Sequence, residues 1–178
     1  MTDPDAFRTD GGATWLNLLA TQGQSFGPHP VERLRSPDDL GRWLALMGLP
    51  VSARPDGHDV ERAQALREAL RDLAMAAVEQ RAPSADALAL VDATLAARAG
   101  LQVDGPLPGV AAALAEIATQ ATVTLRGPDR ALLRACDERD CRWVFLDTSG
   151  RRRWCPAPAC ASRGRVRAYR ARRDVTQT

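Results

Sequence analysis

Up to about position 135 the apolar residues recur at the three- and four-residue intervals of helices, and after that the pattern changes. The first strong helix signal is SPDDLGRWLALMG, Ser36–Gly48. Ser36 can cap it, Pro37 suits the first helical position, and Asp38 and Asp39 complement the dipole. Leu40, Trp43, Leu44 and Met47 keep helical spacing, and Gly48 falls where a left-handed stop is wanted. Ahead of it, WLNLLATQG (Trp15–Gly23) reads as a short helix, and QSFGPHPVERL as a loop marked by two prolines. HDVERAQALREALRDLAMAAVEQ is the longest helical stretch, with Leu66, Leu70, Leu73 and Ala77 as its stripe. SADALALVDATLAARAG predicts another helix, from Ser84 as cap to Gly100 as stop. LQVDGPLPG reads as a turn, or at most a small hairpin. GVAAALAEIATQATVTL is helical on Val110, Leu114, Ile117 and Ala121, and GPDRALLRAC is one further short helix. Beyond Cys136, RWVFLDT and RRRWC, separated by the turn TSG, predict a hairpin, and a last helix spans the arginine-rich end.

The expectation is a mainly α protein of two parts, a helical domain at 1–132 and a small module of β-hairpin and helix at 133–178. Composition fits: of 178 residues 45% are hydrophobic but only 4% aromatic, so the core must be aliphatic and alanine-rich. No apolar run reaches the roughly 18 residues of a membrane span, and the acidic N-terminus lacks the basic start of a secretory signal. A cytoplasmic protein follows, in which paired cysteines are metal ligands rather than disulfides. The net charge of +2 conceals an asymmetry. Residues 1–150 carry 15 arginines and 21 acids, a net of −6, whereas 151–178 carry nine arginines and one acid, a net of +8. Every basic residue is arginine, a planar donor suited to phosphate.

The four cysteines, Cys136, Cys141, Cys155 and Cys160, form the pattern C-x4-C-x13-C-x4-C. Two short loops joined by a hairpin can deliver four thiolates to one tetrahedral Zn2+. Four thiolates close the coordination sphere, so the metal is expected to be structural rather than catalytic. It would stabilise a module too small to bury an adequate core alone. The order of loop, hairpin, loop and helix is that of a treble-clef finger.

CRWVFLDTSGRRRWCPAPACASR resembles the CGNR-type zinc finger, in which an aromatic-rich strand, Asp-Thr-Ser, Arg-Arg-Trp-Cys and a final Cys-Gly-Asn-Arg recur. The resemblance covers about residues 133–173 and makes the four cysteines the ligands. Asp147, Thr148, Ser149, Arg152, Arg153 and Trp154 match the intervening signature. The body, through SPDDLGRWL, ALREALRDL and IATQATVTLRGPDRALLRAC, resembles the ABATE domain that precedes this finger, described as a stress-induced transcription regulator. The resemblance implies a bacterial regulator with a DNA-binding finger. Two positions depart from the pattern. Cys-Gly-Asn-Arg is here Cys160-Ala161-Ser162-Arg163, and an Asp-hydrophobic-hydrophobic-Asn-Thr run is Asn17-Leu18-Leu19-Ala20-Thr21.

From Arg163 to Arg173 the spacing is helical, with Arg163, Arg167 and Arg170 along one line and Arg165 and Arg172 on its neighbour. Val166 and Tyr169 are expected to pack back on the hairpin. Arg151, Arg152, Arg163, Arg165, Arg167, Arg170, Arg172 and Arg173 make a candidate nucleic-acid footprint, with Arg153 beside them. The same arginines could instead bind an acidic partner protein or dock on the acidic body, and Arg152 and Arg153 could lie along Trp143 or Trp154. No catalytic motif occurs. His29 and His58 read as isolated loop histidines, and the Asp38–Asp39 pair is explained by capping. The chain is therefore expected to be no enzyme, with DNA as partner and a helical body for ligand sensing or dimerisation. Its rivals are an interaction adaptor and a small-molecule-binding or enzymatic body with a pocket between helices.

Overall fold

The computed structural model describes residues 6–97 and 107–176. The chain is mainly helical. In order come α1 (Thr14–Leu19), β1 (Gln22–Gly23), β2 (Val31–Glu32), α2 (Pro37–Leu46), α3 (Gly57–Glu79), α4 (Ala85–Ala96) and α5 (Val110–Arg126). A 3-10 turn, Pro128–Leu132, then leads to β3 (Leu133–Ala135), β4 (Val144–Leu146) and α6 (Pro158–Thr176).

The caps follow the sequence. The Ser36 hydroxyl accepts the Asp39 N–H at 3.2 Å, and Asp39 accepts back from the Ser36 hydroxyl at 2.9 Å and from the Arg35 N–H at 3.1 Å. Burial works to raise the Asp39 pKa, but the bonds from Ser36, Arg42 and Arg35 hold it below the usual carboxylate range. α3 opens with a reciprocal capping box between Asp56 and Asp59, and Ser84 caps α4. Gly100, read as the stop of α4, lies outside the described residues, as does most of the turn read for 101–109. Its end is visible where Leu107 forms a parallel bridge with Val51.

α3, α4 and α5 pack together, and α1 lies across α3 and α5. Trp15 of α1 is fully buried and donates its indole N–H to the Thr124 hydroxyl of α5 at 3.2 Å. Leu66 and Leu70 of α3 meet Val110, Leu114, Ile117 and Ala121 of α5 in the core. Asn17 and Thr21, in the run that departs from the family pattern, are both buried. Asn17 Oδ1 accepts the Gly11 N–H at 2.8 Å, and the Thr21 hydroxyl bonds Leu18 O and receives Arg67. Ala20, where the family places Asn, is buried at the end of α1. Buried Arg67 also makes a two-pronged contact with Glu32, at 2.8 and 2.6 Å, which ties α3 to β2.

Three readings need correction. The segment QSFGPHPVERL is not all loop: β2 lies within it and pairs with β1, the last two residues of the stretch read as the first helix, Gln22 opposite Glu32. His58 lies in the first turn of α3, 3.3 Å from Glu61, rather than in a loop. RRRWC does not pair with RWVFLDT either. β4 pairs antiparallel with β3, which precedes the first cysteine, in the register Leu133 to Leu146 and Ala135 to Val144. The reason is burial. Leu133, Val144 and Phe145 all have a core to enter, whereas Arg151, Arg152 and Arg153 must stay in water. The hairpin thus straddles the first cysteine pair instead of joining the two pairs.

The finger shares the core of the helices. Trp143 is buried and donates its indole N–H to Leu16 O of α1 at 2.8 Å, and Leu146 N–H reaches Gly11 O at 3.0 Å. A Cβ on Gly11 would lie 2.8 Å from both Asn17 Oδ1 and the Trp143 ring, so only glycine lets α1 and the finger approach this closely. Among the described residues no helix is long and apolar enough to cross a membrane.

Candidate metal centre and arginine surface

The first cysteine pair is shaped by a tight turn. Cys141 N–H and Arg142 N–H both donate to Glu138 O, at 2.9 and 3.0 Å, and Arg142 takes a left-handed φ of 47°. Cys136 N–H continues the β3–β4 ladder to Trp143 O at 2.9 Å. The second pair comes from the loop after Arg153 and from the first turn of α6, where Cys160 sits. The Asp137 N–H donates to Arg153 O at 2.8 Å and the Arg153 Nε donates to Asp137 Oδ2 at 2.9 Å, which joins the two loops.

These elements gather Cys136, Cys141, Cys155 and Cys160, all buried, with ligand sulfurs all within 4.8 Å of one another. None forms a disulfide. Cys141 Sγ and Cys155 Sγ are 3.9 Å apart. Four thiolates at about 2.3 Å from a tetrahedral ion stand about 3.8 Å apart, so the donor set fits Zn2+ in type, number and separation. Four thiols this close cannot ionise independently. Hydrogen bonds from Cys141, Cys155 and Cys160 pull the Cys136 pKa far down, while the bonds to Cys136 lead those that push Cys141 and Cys155 far up. A bound divalent cation would stabilise all four thiolates at once. The four cysteines would hold it and leave no position open for substrate, so its contribution would be structural.

Around the sulfurs, the α6 arginines divide into two sets. Arg163 donates to Cys160 Sγ at 3.5 Å, and its Nε lies 4.0 Å from Glu138 Oε1. Arg167 forms ion pairs with both Glu138 and Asp140. Its guanidinium holds the Asp140 carboxyl below the usual carboxylate range. Glu138 is 1% exposed, so Arg167 is the counter-charge of a buried carboxylate. Arg163 and Arg167 therefore face the metal loops. Arg165 and Arg170 are exposed with no side-chain partner among the described residues, as are Arg151 and Arg152. Arg172 is exposed and not without contacts, and Arg173 lies 5.8 Å from the centre of the Tyr169 ring. Arg153 stacks at 5.2 Å on Trp154 and pairs with Asp137 at 2.9 Å.

Val166 and Tyr169 do not pack back on the hairpin. They are 46% and 54% exposed, because the inward face of α6 belongs to Arg163, Gly164 and Arg167. The clue lay between the first two cysteines, where Asp-Glu-Arg-Asp supplies carboxylates to match arginines four residues apart.

Asp147 sets the other end of the surface. Its Oδ1 accepts the Ser149 N–H at 3.0 Å and the Ser149 hydroxyl at 2.6 Å, and its Oδ2 accepts the Arg152 N–H at 2.8 Å. These bonds, led by those from Ser149, lower its pKa. They fold Asp-Thr-Ser-Gly into a turn that presents Arg151 and Arg152 to solvent. The departures from the finger's motif, Ala161 and Ser162, lie in the first turn of α6, and Ser162 is exposed.

Residues 12–128 match the family model ABATE, described as a putative stress-induced transcription regulator. Residues 132–173 match the model of the CGNR zinc finger. No curated protein matches the sequence significantly.

Proposed function

The chain belongs to the ABATE family, and on that footing we propose that it is a non-enzymatic regulator of transcription that binds DNA through its zinc-held arginine surface. The observation that carries the reading is the division of the arginines. Arg163 and Arg167 are spent on the metal loops, while Arg151, Arg152, Arg165 and Arg170 stand in solvent without acidic partners among the described residues. Unmatched guanidinium groups on a rigid support bind phosphate, and phosphate contacts supply most non-specific affinity for nucleic acid. The closed cysteine set would hold the support in shape. The helical body would supply signal sensing.

If about four phosphates are neutralised, log K for a labelled duplex falls with log salt at a slope near −3.5. Arg165→Ala/Arg170→Ala should bring that slope about two units closer to zero without altering the fold. A slope near zero for the wild type removes the DNA reading and leaves an acidic protein as the partner.

A further inference from the structure

We propose that the groove between α3, α4 and α5 binds a small monocarboxylate with an apolar body, as the effector site of this regulator. The inference rests on the regulatory reading above. The groove holds about 190 Å³. Its floor is apolar, built from Leu73 and Ala77 of α3, Val91 of α4 and Leu125 of α5, with exposed Leu88 of α4 at the rim. A cavity of about 150 Å³ accommodates benzene, so the space suits one ring or one branched chain.

The charges at its edge choose the class of ligand. Arg126, in the last turn of α5, and Arg130, in the 3-10 turn, both line the groove. Neither has an ion pair or side-chain hydrogen bond among the described residues. That is unusual for this body, where Arg42, Arg54, Arg62, Arg67 and Arg71 are all paired with acids. Arg81 also lines the groove but is occupied by Asp72 at 2.6 Å and Glu79 at 3.2 Å. Asp92 is the one carboxylate in the lining. Two unspent guanidinium groups against one carboxylate leave a single positive charge, which a monoanion neutralises. An apolar floor with one charged end selects a carboxylate whose other end is hydrocarbon.

The position suits regulation. Arg130 belongs to the turn that runs directly into β3 and Cys136. Glu79, the partner of Arg81, is also the partner of Arg142 beside Cys141, at 2.8 Å. A ligand held by Arg126 and Arg130 would therefore brace the connection between the helices and the metal loops.

The test uses benzoate and 3-methylbutanoate as probes and benzamide as the uncharged control, followed by calorimetry and melting midpoint on the zinc-loaded full chain. The expected result is saturable binding of a carboxylate with no comparable binding of benzamide. Arg126→Gln/Arg130→Gln should weaken it about tenfold or more. Leu88→Asp, a substitution at an exposed rim position, should do the same by placing a negative charge at the mouth. Equal binding of benzamide, undiminished binding by the double variant, or no saturable binding of either carboxylate overturns the proposal. Duplex titrations run alongside separate the two readings. DNA binding without carboxylate binding removes this site alone, whereas carboxylate binding with a flat salt dependence leaves the site and removes the DNA reading.

Discussion

At Gly164 a single missing methyl group decides how close α6 can come to the metal loops. A Cβ there would lie 2.5 Å from Trp154 Nε1 and 3.0 Å from Cε2, inside any tolerable contact. The Trp154 indole N–H is already buried without a hydrogen-bond partner among the described residues, so the ring has little room to shift. Gly164→Ala is expected to cost about 1–3 kcal/mol as an overpacking change. It should loosen the metal, which competition with a chromogenic chelator measures. Asp147 offers a residue-level test with a sign. Its folded pKa is lowered, so its stabilising contribution is complete above the unfolded value of about 3.9 and is lost as pH falls through the depressed folded value. Asp147→Asn should therefore melt at a lower temperature than wild type at neutral pH, and the gap should close in strong acid.

Among the elements, α6 repays the closest attention, because its two faces have separate tasks. Arg167→Ala strips the counter-charge from buried Glu138 and should lower the melting midpoint and the affinity for metal. Adding Glu138→Gln should recover much of that loss, since a neutral amide no longer requires a cation. Removing Arg165 and Arg170 should leave both properties intact. A melting curve for each variant separates the faces without any DNA present. The same helix shows what sequence can and cannot disclose. Arginine spacing placed the helix only from Arg163, five residues after its start at Pro158, whereas the capping residues Ser36 and Ser84 announced the starts of α2 and α4. Which face of α6 turns inward depended on Glu138 and Asp140, long-range partners that no helical period encodes. The pairing of β4 with Leu133–Ala135 was hidden for a related reason. Three residues carry no alternation to read, and their partner was chosen by the core beneath Phe145.

Over the whole molecule, the metal loops are bound into the helical core instead of hanging from it. Trp143 is the joint: its ring is buried against α1, its N–H holds Leu16 O, and Arg8 lies 5.7 Å from its centroid. Trp143→Phe would remove the indole donor from the Leu16 carbonyl, which keeps the Ala20 N–H at 3.3 Å, so the lost bond alone should cost about 0.5–1.5 kcal/mol. Chelation should accordingly do more than unfold the last forty or so residues. Hydrogen exchange on metal removal is expected to rise in β3, β4 and α6 and also in α1, while α3 and α5 keep their protection. Unchanged exchange in α1 would show that the joint survives loss of the metal. The stripes of α3 and α5 made the helical core readable from sequence, but this joint was not, because a lone tryptophan between two cysteines carries no periodic signal.

The close fit at Gly11 has a consequence for recombination and for protein engineering. With Gly11 threaded between Asn17 and the Trp143 ring, the two halves are matched as a lock is to its key. A chimera that grafts another finger after position 132 would inherit a ring of different shape or depth, and would open a hole beneath α1 or collide with it. Gene shuffling at that junction should yield mostly insoluble products, unless the first twenty residues travel with the finger they were cut to fit.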